Sequence, residues 1–104
     1  MIIYNVTVNI DESVNANWLA WMREEHIPDV LKTGYFSECK MSKVLAFEEG
    51  GMTYSLQYTC ESIEKLEEYQ EKEAPRLQEE HTRKFQGKFA AFRTLLDVVE
   101  IMKP

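Results

Sequence analysis

What most constrains the fold of this chain is the order in which its hydrophobic period changes. Ile2, Tyr4, Val6, Val8 and Ile10 alternate with Ile3, Asn5, Thr7 and Asn9, the two-residue period of a half-buried strand. The period then lengthens. Val14, Trp18, Leu19, Trp21, Met22, His26 and Val30 share one broad helical face, with Asp11, Ser13 or Asn15 available as N-cap and Gly34 as a left-handed stop. Alternation returns from Tyr35 to Phe47 and from Met52 to Cys60, on either side of EEGG, which predicts a hairpin turning near Gly50 and Gly51. A tight turn there sets Phe47 opposite Tyr54, Leu45 opposite Leu56 and Met41 opposite Cys60. A shift by two residues keeps the same parity, so the pattern determines the face better than the register. Ser62 caps a second helix with an inward stripe of Ile63, Leu66, Gln70, Ala74, Leu77, His81 and Phe85, kinked at Pro75 and ended by Gly87. FAAFRTLLDVVEI then supplies a last strand, apolar on both faces.

With 104 residues, 44% of them hydrophobic, the chain can build one core and not two. Strand, helix, strand, strand, helix, strand, joined by right-handed crossovers, predicts a single α+β domain over residues 1–104. Its architecture is ferredoxin-like, a four-stranded antiparallel sheet with two helices on one face. The opening MIIYNVTVNI has no basic leader, long apolar run or small-residue cleavage site, so it reads as neither signal peptide nor membrane anchor, and a cytoplasmic location is expected. Cys39 and Cys60 have no metal-ligand spacing and fall on apolar strand faces, as reduced, packed thiols do. A net charge of −6 with interspersed signs argues against a nucleic-acid partner.

The sheet is expected to turn Tyr4, Val6, Val8, Tyr54, Leu56 and Tyr58 toward the helices. Its other side carries Asn5, Thr7, Asn9, Thr53, Ser55, Gln57 and Thr59. That polar side suits open solvent, since nothing apolar in those strands requires cover. It also lacks the aromatics with which ferredoxin-like RNA binders stack bases.

The element order, the tryptophan-rich first helix running into HIPDVLKTGYF, and the closing GKFAAFRT resemble small bacterial proteins of the dimeric α/β-barrel superfamily. Within it, the chain is similar to a small uncharacterised domain-of-unknown-function family related to antibiotic-biosynthesis-monooxygenase-like proteins. The resemblance spans nearly the whole chain. It implies a homodimer whose two sheets face each other, with a ligand pocket between helices and sheet in each subunit. Relatives include cofactor-free monooxygenases, haem-degrading monooxygenases, isomerases and decarboxylase-like enzymes, so the fold does not select a reaction.

His26 is the first catalytic candidate, because Asp29 follows it by three residues and a carboxylate beside imidazole raises its basicity and fixes its tautomer. The alternative is structural. Pro28 disfavours helical geometry at Ile27, which would leave His26 in a last turn, bonding free carbonyls. His81 lies between Leu77 and Phe85 in the second stripe. Two histidines converging on a sheet face with three tyrosines predict a pocket, with His26 and His81 as catalytic candidates and Tyr4, Trp18, Tyr54 and Tyr58 as ligand-binding ones. Trp18 and Trp21 are first of all packing residues.

No third ligand accompanies the histidines, so no metal site is expected. Haem-degrading relatives resemble one another in an asparagine on the first strand, a tryptophan on the third and a histidine on the second helix. Only His81 has an equivalent here; Asn5 and Asn9 take the wrong face, and no cofactor is expected. Arg93 either holds an anionic ligand or joins a surface or subunit-interface ion pair, with Asp97 further along the same face; two comparably apolar faces leave its direction open. Glu61 and Lys65, Glu68 and Lys72, Glu79 and Arg83, and Glu80 and Lys84 are acid-before-base pairs of a solvated helix face. Two function classes follow. One binds a small hydrophobic or aromatic organic molecule, with cofactor-independent monooxygenase or isomerase chemistry. The alternative is a non-catalytic, self-associating structural or regulatory module.

Overall fold

The computed structural model describes residues 1–46 and 48–104. Strand β1 (Ile2–Asp11) leads through a turn of 3-10 helix (Glu12–Val14) into α1 (Asn15–Trp21), a π turn (Met22–His26) and α2 (Ile27–Lys32). Strands β2 (Phe36–Lys43) and β3 (Gly51–Cys60) follow, then α3 (Ile63–Lys72), α4 (Ala74–Lys84) and β4 (Phe89–Asp97). The strands form one antiparallel sheet in the order β2-β3-β1-β4. This is the ferredoxin-like α+β fold expected from the periods.

Tyr4 pairs with Tyr58, Val6 with Leu56 and Val8 with Tyr54 across the two central strands, and this face meets the helices. Trp18, Met22 and Val30 from the first helical run and Leu66, Leu77 and Phe85 from the second close over it. Each such side chain taken fully out of water contributes about 1.5–3 kcal/mol before ordering costs. Cys60 is buried and Cys39 half-buried, both free thiols; burial pushes the Cys39 thiol up to about 11. Among the described residues, no helix is long and apolar enough to cross a membrane.

The hairpin keeps the expected face and changes its register. Met41 pairs with Leu56, and not with Cys60; Tyr54 faces Lys43. The pairing of Phe47 with Tyr54 falls on a residue outside those described. The cause is a connection longer than a two-residue turn. β2 stops at Lys43, Leu45 is 92% exposed, and Thr53 Oγ1 donates to Glu48 at 2.6 Å. A four-residue displacement preserves strand parity, so the apolar residues stay inward. Gly50 takes a left-handed φ of +77°, while Gly51 lies so near Asn9 that a Cβ there would sit 2.9 Å from its side chain.

Two helix expectations also change. Helical geometry does not end before Pro28: His26 (φ −66°, ψ −54°) and Ile27 (φ −61°, ψ −45°) stay helical, and the run continues to Lys32. The Ile27 N–H reaches back to the carbonyl of Met22, five residues away, so the wide turn carries the chain past Pro28, which begins the next helical segment where its missing N–H is not needed. Gly34, at φ +85°, makes the stop. In the second run, Glu73 (φ −118°) interrupts the helix for one residue ahead of Pro75. Before that break the buried residues are Leu66 and Tyr69, while Gln70 is exposed. Ser62 caps the run by accepting from the Lys65 N–H at 3.2 Å. Glu68–Lys72 and Glu79–Arg83 form as pairs, whereas Glu80 meets Arg76 and no pair joins Glu61 to Lys65 or Glu80 to Lys84 among the described residues.

Candidate functional site

The π turn determines what the first helix presents to the sheet. Residues five apart in a regular α-helix point about 140° away from each other. An i-to-i+5 turn closes that angle, and Trp21 stacks on His26 with ring centroids 4.9 Å apart and 28° between planes. His26 in turn lies edge-on to His81 of α4, 5.7 Å away. The two histidines, 55 positions apart in the chain, share one aromatic layer.

Their hydrogen bonding differs. Trp18 Nε1–H donates to His81 Nε2 at 2.9 Å, which makes that nitrogen the acceptor and assigns the proton of the neutral ring to Nδ1. His26 Nδ1 is buried with no partner among the described residues, so neither Asp29 nor a helix-end carbonyl holds it. Burial lowers the pKa of His26 to about 4. Burial, followed by the neighbouring His26 and the Arg93 guanidinium, brings His81 to about 4 as well. Protonating Nε2 of His81 would also set an N–H against the Trp18 N–H. Both imidazoles are therefore neutral at pH 7.

A partly enclosed cavity of about 50 Å³ lies between helices and sheet, and both His26 and His81 line it. Of the other expected residues, Tyr4 and Tyr58 line it; Trp18 and Tyr54 do not. Trp18 lies behind His81, its ring tilted 34° to that of Tyr54 at 5.1 Å, and the Tyr54 hydroxyl donates to Asn15 Oδ1 at 2.9 Å. These two support the wall.

Sequence reasoning did not foresee Tyr69, Gln78, Thr82 or the direction of Arg93. The break at Glu73 resets the phase that would have exposed Tyr69. Arg93 pairs with Val6 in the β1–β4 ladder and so points to the helix side, where its Nε–H donates to the Tyr4 hydroxyl at 3.0 Å. It forms no ion pair with Asp97. The signal for this was the parity of β4, and Phe89, Ala91 and Leu95 on one face against Ala90, Phe92 and Leu96 on the other obscure it. Among the described residues no three histidine, cysteine or acidic side chains gather as a metal set.

The cavity can admit a few water-sized molecules as it stands, and its neutral imidazoles, phenols and one guanidinium can bind and orient an oxygen-bearing ligand. The sequence model of a family described as a domain of unknown function, DUF4286, matches residues 1–99. Comparison with curated protein sequences gives no match. Among solved structures, a dimeric ferredoxin-like protein from an uncultured marine organism is similar at 16% identity and a TM-score of 0.72, with all of both chains covered. An ethyl tert-butyl ether (EthD) family protein from Bacillus halodurans is 10% identical with a TM-score of 0.67, over 95% of this chain and 100% of that one. An antibiotic biosynthesis monooxygenase-like protein from Deinococcus radiodurans is 11% identical with a TM-score of 0.66, over 100% and 98%. At these identities the likeness shows the fold.

Proposed function

The chain belongs to the DUF4286 family, and from that premise we propose that it binds a small organic molecule, apolar or aromatic in its body, between the helices and the sheet. The observation that carries this reading is the cavity whose wall holds both histidines, one with an unpartnered ring nitrogen. Buried polar atoms in folded proteins nearly always have partners, and an orphan beside a cavity is a reason to expect a ligand there. The roles of the two rings differ. His81 offers Nδ1–H as a donor, because Trp18 occupies its other nitrogen. His26, unprotonated at neutral pH, is the acceptor available for proton transfer. That division suits cofactor-independent isomerase or oxygenase chemistry, in which a carbon acid loses a proton and a donor stabilises the resulting oxyanion.

Screening small aromatic and aliphatic molecules by the fluorescence of Trp18 and Trp21, the chain's two tryptophans, tests the reading. A hit should lose affinity in both His26→Ala and His81→Ala. Hits that bind both variants as tightly as the parent would remove the histidines from the site.

We also infer that the partner is a second copy of the chain. Phe92 is 64% and Leu96 43% exposed on the side of β4 that carries Thr7 and Ile3 in β1, away from the helices. One protein of similar fold is described as dimeric. The reading of the chain as a self-associating module without catalysis rests on this same surface, and it prevails if no small molecule enters the cavity. Light scattering on the purified chain distinguishes dimer from monomer.

A further inference from the structure

We propose that the ligand class is a small organic monoanion, a carboxylate or an enolate-type oxyanion, with its charged oxygen between the Arg93 guanidinium and the Tyr4 hydroxyl and its apolar body toward the histidines. The inference rests on the small-molecule reading above and specifies the chemistry that this site would accept.

Charge is the first argument. The chain carries 18 acidic residues against 12 lysines and arginines, yet among the described residues lining the cavity only Arg93 is formally charged. No carboxylate lies within 4.0 Å of it among the described residues, whereas Arg76 and Arg83 on the helix surface both have acidic partners. A guanidinium facing a half-apolar cavity without a counter-charge is complementary to an anion.

Hydrogen-bond bookkeeping is the second. Arg93 spends its Nε–H on the Tyr4 hydroxyl, which fixes the plane of the guanidinium and leaves both terminal NH₂ groups without a hydrogen-bond partner among the described residues. Tyr4 accepts with its oxygen, so its own O–H proton is uncommitted. The pair thus offers several donors at one point and no acceptor in competition with the ligand. Deeper in, His81 Nδ1–H is another donor, and a cation finds nothing negative along the wall. Val6, Val8 and Leu56 form an apolar floor on the sheet, which supplies contact for a short hydrocarbon or aromatic body.

Size limits the body. A volume of about 50 Å³ does not enclose a drug-sized molecule. Arg93 itself is exposed on β4, so the charged end lies toward solvent and the body that reaches inward from it is short.

Matched acid and amide pairs of the same shape test the proposal: acetate with acetamide, and benzoate with benzamide, titrated against the tryptophan fluorescence of the full chain. The expected result is that at least one carboxylate binds about tenfold or more tightly than its amide, the scale of a charge-assisted hydrogen bond. That preference should weaken with added salt and disappear in Arg93→Gln and in Tyr4→Phe. Because Arg93 is exposed, R93Q should keep the parent's circular dichroism and melting temperature, which separates loss of binding from loss of fold. Amides that bind as tightly as the acids, or carboxylate binding untouched by R93Q, would overturn the anion assignment and leave the small-molecule reading standing. Failure of all four probes to bind at millimolar concentration would overturn both.

Discussion

The two faces of the sheet handle their polar groups in opposite ways. On the outer face, Ser55 Oγ donates to Asn5 Oδ1 at 2.6 Å, Asn5 Nδ2 to Thr7 at 3.1 Å, and Asn9 Nδ2 to Thr53 at 3.1 Å. The polar side chains there satisfy one another. The inner face is the one that composition marks as packing surface, and it holds the incomplete groups: an orphaned imidazole nitrogen on His26 and a guanidinium on Arg93 without a counter-charge. For the His26 nitrogen, a buried acceptor left unmade, the cost is about 1–3 kcal/mol. The cost falls on the side with the cavity, and so the search for chemistry belongs on the apolar side of the sheet.

The inner face should be the fragile one, and Trp18→Ala is the most direct way to break it. The substitution removes a fully buried ring and the donor that holds His81. A loss of about 3–5 kcal/mol is expected in urea unfolding. Trp18→Phe restores much of the volume but not the N–H, and should lose about 1–3 kcal/mol; a neutral result would mean that the His81 bond does not matter.

Acid should discriminate the faces next. Both histidines have folded-state pKa values near 4, below the 6.5 of a free imidazole. The unfolded chain therefore takes up these protons first. Their contribution to stability is fully present above about pH 6.5 and falls away as pH drops toward about 4. For one such group the loss is roughly 3 kcal/mol. The double variant His26→Gln, His81→Gln should flatten this part of the profile, measured as unfolding free energy against pH.

The outer face is expected to respond through association. Phe92→Asp places a charge among the residues proposed to meet a second copy, and light scattering should then read a monomer, with dissociation favoured by about 2 kcal/mol. A variant that stays dimeric would move the interface elsewhere. The smallest effect belongs to the hydrogen-bonded ladder. Ser55→Ala removes one bond at a half-exposed position and should lower stability by about 0.5–1.5 kcal/mol, without altering ligand binding.

Much of this was legible before the chain was folded. Tyr4, Val8, Tyr54, Leu56 and Tyr58 reveal the inner face through local alternation, and Trp18, Met22, Leu77 and His81 do the same through helical spacing. The convergence of two histidine-bearing stripes on one layer follows from those assignments. The site's finer content was not legible. Trp18 and Tyr54 are aromatic and inward, as ligand residues are, yet they stand one layer behind the cavity wall, and spacing carries no information about depth. Tyr69 was hidden by a phase that fails at Glu73, and Arg93 by a strand with hydrophobic residues on both sides.

The order of elements and the inner face of the central strands are written in the chain, because period two and period 3.6 are properties of neighbouring residues. The register of β2 on β3, the direction of Arg93, and the passage of the first helix beyond Pro28 were settled by packing between distant segments. Register depends on the length of a connection and direction on the partner strand. The passage depends on a single widened turn, and that turn also stacks His26 on Trp21 and keeps it beside His81. Contacts between distant residues select among local alternatives of nearly equal energy, and the pattern of one segment cannot record that choice.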